Sequence, residues 1–176
     1  MHTIDAIKSQ KGYFRFKIIM ALIINAAING AFGYVFGTPI MPTLGSNGIL
    51  ADCIQMTFYL GTLLTWFTIL DVHSDLGKKK VNLLPENYTP PKIFTHMSKN
   101  SIIRSLIFGI LTLIVFGSAF TLIMVVGGIR ELSFWDFVLV KVVFSMIMAF
   151  ILDPIVRIST MANMAEDKLL LFVKYK

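Results

Sequence analysis

Few side chains in this sequence could do chemistry, and the informative ones are polar groups set inside or beside long apolar runs. Lys141 is the clearest, six residues past Trp135 in an otherwise apolar stretch. That spacing places it roughly 9 Å into a helix at about 1.5 Å per residue. An ionised side chain at the centre of an inserted helix costs about 2.5–3.5 kcal/mol, so it needs a partner or an escape to the headgroups. Asp52 and Gln55 open another apolar run and Asp136 opens the one that holds Lys141. One expectation is a Lys141 that snorkels outward or forms a purely structural pair. The sharper alternative is a polar pocket in which Lys141 meets Asp52 or Asp136. Asn25 and Asn29 lie one helical turn apart, with Gly30, Gly33 and Gly37 close to the same face. Amides and small residues of this kind serve as helix-packing contacts, or as the polar lining of a pathway. The candidate pocket set is therefore Asn25, Asn29, Asp52, Gln55, Asp136 and Lys141.

Other polar clusters fall at the ends of apolar runs. Asp71, His73 and Asp75 follow the second run; such groups can ligate metals, and the two aspartates would share a face if the helix continues. With only Glu86 and His96 nearby in sequence, the expectation is a solvated helix end and no metal site. Asp153, before Pro154, is placed to pair with Arg157 one turn on. The single cysteine, Cys53, closes no internal disulfide and matches no zinc spacing. No HExxH, GxSxG, P-loop or dinucleotide fingerprint is spelled out. Catalysis, a cofactor and a metal are all unexpected on this reading.

The elements that position these groups are membrane helices. Of 176 residues, 56% are hydrophobic and only 15% charged, with a mean hydropathy of +0.75. A spanning helix needs about 20 mostly apolar residues, and runs of that kind fall at about 16–36, 49–70, 102–126 and 134–156. The first continues past any small-residue cleavage site near Ala26, too long for a signal peptide's apolar core of about 7–15 residues. Lys8, Lys11, Arg15 and Lys17 precede it, and Lys78, Lys79, Lys80, Lys92 and Lys99 lie between the second and third runs. Arg157, Lys168, Lys174 and Lys176 follow the fourth. The other two connections carry only Arg130. By the positive-inside rule both termini and the 71–101 loop are cytoplasmic. The expected fold is all-α: a single domain, an integral membrane four-helix bundle of two helical hairpins, with a cytoplasmic tail at 157–176.

The net charge of +6 then points to anionic lipid headgroups, and not to nucleic acid, as partner. Lys78, Lys79, Lys80 and Arg157 are the candidate headgroup contacts. Prolines 85, 90 and 91 break the loop, and its glycosylation sequon at Asn87 lies on the wrong side to be used. Met161 to Tyr175 could form a surface helix or a packed tail. The two hairpins are loosely alike, Asn29 to Phe32 matching Gly117 to Phe120, as in a parallel duplication.

Arg104, which opens the third run, and Phe150, Asp153, Pro154 and Arg157, which end the fourth, carry a resemblance. The second half of the chain resembles a small, uncharacterised bacterial membrane-protein family built from two-helix hairpins, a domain of unknown function. The resemblance implies a fold plan and location in the bacterial inner membrane, and no activity. Three functions remain in view. One is an accessory, binding or assembly subunit without catalysis. The second is a transporter or channel subunit that acts as a homo-oligomer, because four helices alone leave little room for a path. The third, ranked last, is a lipid-modifying enzyme.

Overall fold

The computed structural model describes residues 2–45, 48–78, 81, 91–95 and 97–174, with side chains undescribed at 2–10, 95 and 165–174. Its elements are α1 (His2–Phe36), β1 (Ile40–Pro42), α2 (Ile49–Gly77), α3 (Lys92–Thr95), α4 (Ser101–Thr112), α5 (Ser118–Val126), β2 (Glu131–Ser133) and α6 (Phe134–Lys174). A π-helical turn, Leu113–Gly117, joins α4 to α5. Four stretches are long and apolar enough to cross a membrane: Lys11–Phe36, Ile49–Gly77, Ser101–Val126 and Phe134–Met164. Their outward faces carry exposed Ile, Leu, Val and Phe along their length.

Three outcomes differ from the sequence reading, each for a local reason. First, α6 does not stop near Val156. Pro154 removes one donor from the ladder, but the helix runs through it to Lys174, as membrane helices tolerate when neighbours hold them straight. Met161 is fully buried on α6 and does not face lipid. Second, the fold is not wholly helical. The connections before α2 and before α6 pair as an antiparallel ribbon, Ile40 opposite Ser133 and Pro42 opposite Glu131. Thr43 Oγ1 extends it by donating to the Ile129 carbonyl at 2.6 Å. Third, α1 packs on α6 and has little contact with its chain neighbour α2, so the first hairpin is not a packing unit. Gly30 and Gly33 explain the choice: a Cβ on either would touch Val142, Val138 or Lys141 of α6 at 3.2–3.4 Å.

The helices run in the order α1, α6, α2, then the third span. Between α2 and α4 two reciprocal contacts set the closest approach. Gly61 faces Thr112, and Gly109 faces Thr62. Thr112 and Ser118 bracket the π-helical turn, each hydroxyl donating to the carbonyl four residues back, a habit that loosens the helical ladder there. Buried apolar clusters stack along the bundle, with Ile49, Phe120 and Phe137 at the strand end and Val72, Val81 and Met161 at the end that bears the termini.

Candidate functional site

Because α1 and α2 both lie against α6 without closing on each other, a cleft of about 920 Å³ remains between them. Its walls are apolar and aromatic, with Phe16, Met20, Ile28 and Phe32 from α1 facing Met56, Tyr59, Leu63 and Phe67 from α2. Phe16, Phe32, Tyr59 and Phe67 are themselves exposed, so the cleft opens on the side of the bundle. Its volume lies in the range of small-molecule sites, about 300–1,000 Å³.

Charged groups stand at both ends. Near the strand end Lys141 Nζ lies 2.9 Å from Asp52 Oδ1 and 2.8 Å from Oδ2. One ammonium thus straddles both oxygens; the Oδ1 contact has hydrogen-bond alignment, and Oδ2 is held by charge alone. Lys141 is buried, so the snorkelling expectation gives way to a pair between α6 and α2. Asp136 takes no part. It is exposed and accepts from Ser133 Oγ at 2.6 Å, while Ser133 Oγ accepts from the Asp136 backbone N–H at 3.4 Å and so caps the start of α6.

At the other end three helices each contribute two groups four residues apart: Tyr13 and Lys17 from α1, Asp71 and Asp75 from α2, Asp153 and Arg157 from α6. Arg157 makes a two-pronged bond to Asp153, Nε to Oδ2 at 2.8 Å and Nη2 to Oδ1 at 3.0 Å. Its Nη1 donates to Asp71 Oδ2 at 2.8 Å and to Tyr13 Oη at 3.2 Å. Lys17 Nζ reaches Asp71 at 2.7 Å and Asp75 at 2.6 Å. Tyr13 donates to Asp75 at 3.2 Å, and Thr68 to Asp153 at 3.0 Å. The solvated helix end expected at Asp71 and Asp75 is therefore a junction of three helices, with Asp75 and Asp153 buried. Arg157, expected at the headgroups, is buried in the same junction.

Between the ends lie Asn25 and Asn29. Asn25 Nδ2 donates to the Ala21 carbonyl at 2.7 Å and Asn29 Nδ2 to the Asn25 carbonyl at 3.0 Å. A carbonyl only accepts, so the group facing it is the amide nitrogen and the side-chain oxygen is the free end. Gln55 lines the cleft as an exposed residue. Of the pocket candidates, the structure thus brings together Asn25, Asn29, Asp52, Gln55 and Lys141, and leaves Asp136 apart. His73 is exposed, and Lys78 is exposed at the end of α2. Lys79, Lys80, Glu86, Asn87 and His96 lie outside the described residues.

Comparison with protein-family models, curated proteins and solved structures finds no match to this chain. Geometry alone carries the reading. Sequence reasoning missed Tyr13, Thr68 and the burial of Asp75. A signal was present: polar pairs at i and i+4 recur at the same end of three spans, as groups that share one junction must.

Proposed function

We propose that this chain is a non-catalytic, membrane-embedded binding subunit whose α1–α2 cleft receives an amphiphilic small molecule from the bilayer. The observation that carries the reading is the cleft itself, a preformed apolar trough within a single chain, open on its side and tipped with polar groups at both ends. A sequence of four helices gives little reason to expect such room. A non-catalytic role is supported by the pairing of the charged groups, which are bound to one another at both ends and so are not poised on a reacting atom. The positive-inside rule orients the cleft. The Lys17–Asp71–Arg157 junction then lies toward the cytoplasm with both termini, and the Lys141–Asp52 pair lies in the outer half. Anionic headgroups around Lys78 and the rest of the basic loop fit this placement.

A second reading, a subunit of a small oligomeric transporter, is favoured by one distance. Lys141 and Arg157 are sixteen residues apart on α6, about 24 Å of helix, which is most of a hydrocarbon core about 30 Å thick. A cleft of that reach would let a ligand contact either side. A homodimer covering α1, or a larger membrane partner, would then close the trough.

Native mass spectrometry in mild detergent tests both readings. Wild-type protein is expected to retain a small-molecule or lipid adduct that the variant Ile28→Trp/Leu63→Trp does not hold. Both positions line the cleft at exposed sites, so the added bulk projects into open space. A homo-oligomer with the adduct favours transport. An adduct equally abundant in wild type and variant would dismiss the cleft as the site.

A further inference from the structure

We infer that the cleft's occupant is a lipophilic amine in its protonated form, an N–H donor on an apolar body; this deepens the binding proposal above and rests on it. Of the charged side chains that line the cleft, the two most exposed are carboxylates, Asp71 and Asp52; Lys17 is 18% exposed, and Arg157, Lys141 and Asp153 are buried. The Asp52 side chain is 29% exposed against 4% for Lys141, and Asp71 is 36% exposed against 5% for Arg157. An entering molecule therefore meets acid oxygens first.

The cations of the cleft are already engaged. Lys141 is committed to Asp52, Arg157 to Asp153 and Asp71, and Lys17 to Asp71 and Asp75. The two buried asparagines have turned one N–H of each amide onto their own helix and keep a side-chain oxygen and a second N–H. A carboxylate offers about four acceptor sites, and the ammonium of Lys141 leaves part of Asp52's unused.

The surface agrees with this. Exposed rings of Phe16, Phe32, Tyr59 and Phe67 line the cleft, and the faces of such rings attract cations. An anionic headgroup would have to compete with Asp153, which is fully buried, for Arg157, with Asp52 for Lys141, or with Asp71 and Asp75 for Lys17. Breaking a buried pair in that way leaves a carboxylate unpaired. A protonated amine needs no pair broken.

Equilibrium binding of tritiated dodecylamine to the full chain in phosphatidylcholine nanodiscs, with empty discs subtracted, tests the inference. At neutral pH this amine is charged, as lysine is. Saturable one-site binding is expected, with dodecanol and dodecyl phosphate competing at least about tenfold less well than unlabelled dodecylamine. The paired variant Asp52→Asn/Lys141→Met removes both charges together and so leaves none stranded; it is expected to lose about tenfold or more in affinity. Equal competition by dodecanol would overturn the inference in favour of an apolar site. Stronger competition by dodecyl phosphate would overturn it in favour of an anion site, and unchanged affinity in the paired variant would remove Asp52 as the recognition group. If none of the three compounds binds wild type more than it binds Ile28→Trp/Leu63→Trp, the cleft proposal itself fails.

Discussion

Replacing Asp52 with Asn strands the Lys141 ammonium, whose other close neighbour is the Phe137 ring, 5.2 Å from Nζ to the centroid. The lysine side chain is 4% exposed, so water cannot take the carboxylate's place. Breaking a buried pair by removing one partner costs about 3–5 kcal/mol, because it leaves an uncompensated buried charge. An amide oxygen at position 52 still accepts one hydrogen bond, which brings the expected loss to about 3–4 kcal/mol, in the lower part of that range. Lys141→Met leaves the opposite partner. Asp52 is 29% exposed in an open cleft, where polar solvent can reach it, so the expected loss is about 1–2 kcal/mol. Removing both should return stability close to wild type, since apolar replacement of a buried pair is often neutral. For a chain of this size each kcal/mol shifts Tm by about 2–4 °C. Thermal unfolding in detergent should therefore show Asp52→Asn about 6–16 °C below wild type, Lys141→Met about 2–8 °C below, and the double variant near the start. Equal losses in the two single variants would refute the asymmetry, and an additive double variant would refute the pair.

Three further outcomes follow from the packing. Gly109→Ala should lower stability by about 1–3 kcal/mol because its Cβ would run into Thr62 Oγ1. Gly12→Ala, with nothing within 4 Å, should raise it by about 0.5–1 kcal/mol, and thermal melts of the pair check both. Arg157→Lys keeps the charge but cannot reproduce the two-pronged bond to Asp153. It should cost about 1–3 kcal/mol, less than the roughly 3–5 of Arg157→Met, a ranking read from denaturation midpoints. With Cys53→Ser as background, a cysteine at Leu44 should react with a membrane-impermeant maleimide in intact cells, and one at Lys78 only after permeabilisation. Reversed labelling would invert the topology.

How far the sequence could be read depends on the range of the interaction. The spans were legible because apolar runs are local and long, and five of their eight ends fall within a residue of the expected positions: Phe36, Ile49, Ser101, Val126 and Phe134. The end of α6 was not legible, because Pro154 reads as a stop unless neighbouring helices are known to hold it. The strand pair escaped notice because each strand is three residues long and meets a partner far along the chain. In the candidate site, Lys141 stood out by cost alone, but its choice of Asp52 over Asp136 is a matter of helix neighbours. Asp136 had a local claim from Ser133, which a capping pattern of Ser and an acid three residues on already spells. Asp71 and Asp75 looked solvated because the second apolar run ends before them. Only the continuation of α2 to Gly77 carries both into the bundle.

The same ion pairs explain why a cleft exists at all. In a compact bundle α1 and α2 would meet along their length, yet the surfaces they offer each other are bulky: Phe16, Ile28 and Phe32 against Tyr59, Leu63 and Phe67. The small residues that permit close approach, Gly30 and Gly33 on α1 and Gly61 on α2, are turned toward other helices. What joins α1 to α2 is the junction at one end, where Lys17 binds Asp71 and Asp75 and Tyr13 binds Asp75. What fixes α2 to α6 at the other end is Lys141 on Asp52. Charged contacts have short reach and strict geometry, so they set the spacing and register of helices without filling the space between them. One tie between α1 and α2 and another between α2 and α6 thus fix the helices at the two ends, and the bulky faces between them leave the trough. A chain selected only for stability would have closed the gap with small residues, and that is the physical reason to read the cleft as a site.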